Sequence, residues 1–167
     1  GLMAEMKKDA RDDYFLALHT AYFSERIAAS IHADVALAKA CAYYHRIGKV
    51  YREKYKDTAE ETEIIKRICE DNEFPPDIEN VLLECVNRHF VSKESTIVMF
   101  SDAVVSSVLF LFSKDPQGKP DYNQLVEVIF KKKQENGILN ESSITIHELL
   151  VMKQIFIKEK LYYDFLR

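Results

Sequence analysis

The sequence contains no tryptophan, and only four glycines and four prolines among 167 residues. So few turn-formers exclude collagen-like and linker-like chains and most turn-rich all-β architectures. The three cysteines, Cys41, Cys69 and Cys85, show no CxxC spacing. They supply neither a full disulfide set nor a thiolate zinc site, and read as small buried apolar residues of a protein in reduced cytosol. An excess of base is also missing. Twenty-seven acids against 23 bases leave a net charge of −4, which argues against general nucleic-acid binding. No signal peptide opens the chain. The most apolar stretch, 97–112, is interrupted by Ser101, Asp102, Ser106 and Ser107. A membrane span needs ~18 uninterrupted apolar residues, so this stretch reads as a buried core helix. Gly1-Leu2 begins the chain without an initiator methionine, which suggests a piece cut from a longer protein. Any membrane anchor would then lie outside it.

What is present is 47% hydrophobic and 30% charged residues. A chain of this size buries roughly 70% of its extended surface and needs no covalent staples. Apolar spacing is helical nearly throughout. Phe15, Leu18, Tyr22 and Phe23 share one face, as do Val35, Ala38 and Ala42. Asp57-Thr58 with Glu61 predicts a capped helix start, running to about residue 72. Pro75-Pro76 breaks it, and the next helix covers about 77–88. Ser92 caps a long apolar helix to about 113, and 115–120 reads as a loop. Asp121 with Gln124 starts a helix that Asn136-Gly137 stops. Thr145 with Glu148 caps the last helix, whose inward face carries Leu149, Met152, Phe156 and Leu161. Nothing alternates with period two. The expectation is one all-α domain over residues 1–167, with about seven helices.

No Gly-rich phosphate loop, GxSxG elbow or HExxH occurs. The segment Ala42–Lys49, AYYHRIGK, ends an apolar helix in a histidine and continues through a glycine to a lysine. His19-Thr20 lies upstream, and Ser101-Asp102-Ala103-Val104 lies inside an apolar helix downstream. Together these resemble the HD-domain phosphohydrolase superfamily, in particular the cytosolic HD domain of membrane-anchored cyclic-di-AMP phosphodiesterases. FPPDI at 74–78, followed by Arg88-His89, resembles the family's LPPEI before a His-His pair. The resemblance implies an HD-type helical bundle and a cytosolic location. It also implies a divalent metal such as Mn²⁺ or Fe²⁺, activating water against a phosphodiester. His19, His45 and Asp102 are the metal ligands it implies; their convergence in space is expected. Lys49 would lie beside substrate phosphate, and His89 would line the pocket.

The sequence departs from the family at two site positions, and the span between Lys49 and Phe74 holds no histidine. Arg46 stands where the motif has aspartate, and Arg88 where it has the first histidine of the pair. A guanidinium ~4 Å from a dication repels it by ~8 kcal/mol at an effective dielectric of ~20. Arginine cannot shed its proton. Two-metal hydrolysis is therefore not expected. Arg46, Lys49, Arg88 and the pocket histidines favour a phosphate-bearing small molecule or nucleotide, bound without metal. Three functions stay open: this anion-binding domain, an atypical one-metal phosphohydrolase on His19, His45 and Asp102, and a helical interaction domain with a vestigial pocket. Asp102, set among Met99, Phe100, Val104 and Val105, needs a partner for its charge, and Arg46 is expected to reach it. His32 and His147 read as surface residues. Tyr43, Tyr44, Phe110 and Phe112 read as core packing, and Lys131-Lys132-Lys133 as a solvated helix face.

Overall fold

The computed structural model describes Gly1–Arg167 as ten helical segments with no strand. They are α1 (Leu2–Asp9), α2 (Arg11–Ser30), α3 (Val35–Tyr44), α4 (Ile47–Tyr55) and α5 (Glu61–Asp71). Then come α6 (Pro76–Asn87), α7 (Lys93–Lys114), α8 (Tyr122–Glu135), α9 (Ile146–Lys158) and α10 (Lys160–Asp164). The all-α expectation holds. The helices outnumber the seven expected because α1, α4 and α10 are short segments, each set off from one adjoining helix by a break of one or two residues.

Helices α2, α3 and α7 pack on one another and form the centre. Around them lie two apolar clusters. The larger joins Phe23 and Ile27 of α2 to Phe100, Val104 and Val108 of α7, then to Phe130, Met152, Phe156 and Tyr163. The smaller joins Ala17 and Ala21 of α2 to Cys41, Ala42, Ile47, Ile64, Ile65 and Leu82. Helix α7 contributes to both. By length and composition α7 could cross a membrane, yet 61% of its apolar window is buried inside the protein.

Local chemistry explains most boundaries. Side chains of Asp34, Ser92 and Asp121 accept from the backbone N–H groups of Leu37, Ser95 and Gln124, and so start α3, α7 and α8. Thr145 and Glu148 close a reciprocal capping box on α9. The start expected at Asp57-Thr58 moves to Glu61, because the Asp57 side chain instead accepts from Ala59 N and from Arg67. Leu161, expected on an inward face, is exposed, because the chain breaks at Glu159 and re-aims α10. A Cβ at Gly48 would come 3.1 Å from Ile65 Cδ1. This close approach lets α4 lie on α5, and it fixes the α3–α4 corner that carries His45 and Arg46.

Candidate functional site

The α3–α4 corner, the α6–α7 turn and one face each of α7 and α8 enclose a cavity of about 560 Å³. His45 caps the C-terminus of α3, and Arg46 directly precedes α4. Both reach across to Asp102 on α7. Arg46 Nε donates to Oδ2 at 2.9 Å and Nη2 to Oδ1 at 3.1 Å, the two-pronged fork available to a guanidinium but not to an ammonium. The reach expected from the sequence is therefore present. His45 Nε2 lies 2.5 Å from the same Oδ2, and its Nδ1 lies 2.7 Å from the Ala42 carbonyl. Asp13 of α2 adds a second anion, 3.5 Å from Arg46 Nη1.

Charge on this wall is balanced internally. Burial raises the Asp102 carboxyl, but hydrogen bonds and attraction from His45 and Arg46 outweigh it and hold the group far below the usual carboxylate range. Burial likewise disfavours the Arg46 charge, and Asp102 and Asp13 more than restore it.

The opposite wall differs. Arg88, Lys132 and Lys133 line the cavity there, and none of them forms an ion pair. Arg88 caps α6 in the left-handed region, at φ 53°. That conformation costs a non-glycine residue ~1 kcal/mol. Glu84 holds the turn in place, accepting from Val91 N, Ser92 N and the hydroxyls of Ser92 and Ser95. Lys133 loses proton affinity through burial first and Arg88 second, with Asp102 offsetting only part. The cavity thus holds three cations with no anion of their own.

The other residues singled out from the sequence fall elsewhere. His19 sits on α2 with Nδ1 2.7 Å from the Tyr162 hydroxyl of α10. It does not complete a cluster with His45 and Asp102: no group of three or more His, Cys, Asp or Glu side chains is arranged to hold a metal ion. Both ring nitrogens of His45 face acceptors, and the permanent charge of Arg46 engages both oxygens of Asp102. The residues present do not fit a dication. Lys49, one turn along α4, is exposed near Asp13 and Glu53. His89 pairs with Glu141 outside the main cavity, beside a smaller cleft that shares Arg88 and Phe90 with it.

Two readings of the sequence are corrected. The 131–133 run is not wholly a solvated face, because the register of α8 turns Lys132 and Lys133 into the cavity. Phe110 is not core packing: it is 59% exposed. Asp13, Glu84 and Tyr162 carried no signal in the sequence. Asp13 and Tyr162 act through partners distant along the chain, and Glu84 through the turn that follows its own helix. Only the spacing of Lys132, Lys133 and Asn136 behind the buried Ile129 could have marked the inner face of α8.

The HD domain family model matches residues 17–148. The crystal structure of the L. monocytogenes phosphodiesterase PgpH HD domain shares the fold at TM-score 0.72 and 21% identity, over 93% of this chain and 95% of that one. The same PgpH domain in complex with cyclic-di-AMP matches at TM-score 0.72 and 20% identity, over 93% and 94%. No protein of curated function matches the chain in sequence. A histidine at the end of α3, an aspartate within α7 and a matched family pattern over most of the chain lead to one conclusion: the chain belongs to the HD domain family.

Proposed function

We propose that this HD domain has lost two-metal phosphodiester hydrolysis and binds a phosphate-bearing small molecule or a nucleotide without metal. The observation that carries the reading is the Arg46–Asp102 fork beside three unpaired cations. A permanent guanidinium charge engages the carboxylate that a dication would need, so the negative pole of the cavity is already neutralised. What is left to attract a ligand is positive: Arg88, Lys132 and Lys133, with hydroxyls of Ser106 and Ser107 nearby. Phosphate oxygens suit this set, since guanidinium and ammonium groups make charge-assisted hydrogen bonds to them. The relative crystallised with cyclic-di-AMP makes that nucleotide the natural first probe.

The test is titration calorimetry and thermal melting in EDTA with cyclic-di-AMP, AMP and inorganic phosphate. A ligand at a hundred times its Kd raises stability by ~2.7 kcal/mol, a readily measured shift in Tm. Saturable binding that survives EDTA is expected. Binding only with Mn²⁺, or turnover of cyclic-di-AMP with Mn²⁺ at an ordinary enzymatic rate, would overturn the proposal.

A further inference from the structure

The cavity does not end at Ser106 and Ser107. Those two serines also line a cleft of about 370 Å³ with Phe110, Leu111 and Leu125. Leu111 and Leu125 in turn line a third cleft of about 480 Å³, reaching Val128 and the 115–121 loop. The three spaces share walls and follow the seam between α7 and α8.

Spacing along the two helices shows why they form one trough. On α7, Asp102, Ser106, Phe110 and their neighbours Ser107 and Leu111 recur every three or four residues, so they occupy one face. On α8, Leu125, Val128, Lys132 and Lys133 do the same. The helices are joined by the 115–121 loop and run back along one another, so their sequences read in opposite directions along the trough. Both nevertheless grade the same way. At the loop end stand Phe110, Leu111, Leu125 and Val128, rimmed by Asp115, Lys119, Asp121 and Gln124; hydroxyls occupy the middle; Lys132, Lys133 and, from the α6–α7 turn, Arg88 stand at the far end. Phe110 is 59% exposed and Val128 42%. Solvated apolar residues of this size, continuous with a cationic cavity, form a surface that a partner would cover.

The geometry points to a single-chain phosphate amphiphile as occupant, taken up as a free monomer: phosphate on Arg88 and Lys133, an unbranched hydrocarbon tail along the α7–α8 seam. This rests on the anion-binding reading of the cavity and names a narrower ligand class. Charge complementarity fixes the head, since the only carboxylate in the cavity is already engaged by Arg46 and His45. Distance argues for a tail rather than a base. Asp102 and Phe110 are eight residues apart on α7, or ~12 Å at 1.5 Å per residue. A mononucleotide held by its phosphate at the cationic end does not place its base so far away.

The experiment titrates the whole chain in EDTA with methyl, hexyl, octyl and decyl phosphate, each below its micelle concentration. Each pair of added methylenes is expected to tighten binding about tenfold. Phe110→Glu and Val128→Asp, both at exposed positions that the fold does not depend on, should bind methyl phosphate as before and lose the chain-length dependence. Methyl phosphate binding with no gain from longer chains sinks the trough and leaves the anion site standing. Decanol binding as tightly as decyl phosphate sinks the anion reading itself. Length dependence that survives both substitutions, or binding to anionic vesicles but not to monomers, also overturns the proposal.

Discussion

The two walls of the cavity hold their cations in opposite ways. On the α3–α4 side, Arg46 is forked onto Asp102, faces Asp13 and keeps its charge because carboxylates surround it. On the α6–α8 side, Arg88 and Lys133 repel one another across a partly desolvated space. The first wall stabilises the fold and offers little to a ligand. The second weakens the fold and is available for binding. Charges that evolve for packing tend to be neutralised at home; unneutralised charge gathered in a cavity marks a site where stability has yielded to recognition.

Disrupting the closed wall gives the largest effect. Asp102→Ala leaves the Arg46 guanidinium partly buried with Asp13 alone beside it, and stability should fall by about 3 kcal/mol in denaturant titration. A loss under 1 kcal/mol would mean that solvent already carries the Arg46 charge, and the contrast between the walls would disappear. The pH dependence has a definite sign. The folded-state pKa of Asp102 is depressed, so its contribution is present above the unfolded value of about 3.9 and is lost as pH falls through the lower folded value. Asp102→Asn should therefore unfold less steeply than the parent chain below pH 4.

Arg46 comes next. Arg46→Ala removes the fork but leaves His45 on Asp102, so a loss of about 2 kcal/mol is expected, smaller than for Asp102→Ala. Arg46→Asp sharpens the comparison further, because it places a second carboxylate beside His45 and Asp102 and no cation between them. That variant should bind Mn²⁺ in calorimetry where the parent does not. If neither variant differs from the parent in stability or metal affinity, the guanidinium at position 46 is incidental.

The same contrast explains what was legible in the sequence. The fold was, because helix starts are local: Ser92, Asp121 and Thr145 cap the helices that follow them, and glycine follows the end of α8. The Arg46–Asp102 pair was also within reach, since a carboxylate in an apolar helix requires a cation and the motif position supplied one. The open wall was not. Whether a lysine run faces solvent or a cavity depends on the rotation of α8 about its axis, set by Val126, Ile129 and Phe130 packing into the larger cluster. Nor was the fate of His19 legible, because Tyr162 reaches it from 143 residues away along the chain.

The smallest effect on stability comes from the open wall, and it should have the opposite sign. Lys133 is half-buried, loses proton affinity through burial and then Arg88, and has no ion-pair partner. Lys133→Met keeps most of its aliphatic packing and removes the repulsion, so stability should rise by a few tenths of a kcal/mol, within the range of surface substitutions. Because the folded-state pKa of Lys133 is depressed, the parent binds fewer protons folded than unfolded near that value. Its stability therefore gains as pH climbs through the depressed folded value toward about 10.4, and the advantage of Lys133→Met shrinks over the same window. Phosphate should act in the reverse direction. An anion between Arg88 and Lys133 cancels the repulsion, so ligand should stabilise the parent more than the variant, and affinity should fall about tenfold on substitution. Parallel melts of both chains at pH 8 and pH 10, with and without inorganic phosphate, separate these contributions. A variant that is less stable than the parent and binds phosphate equally well would return 131–133 to a solvated helix face.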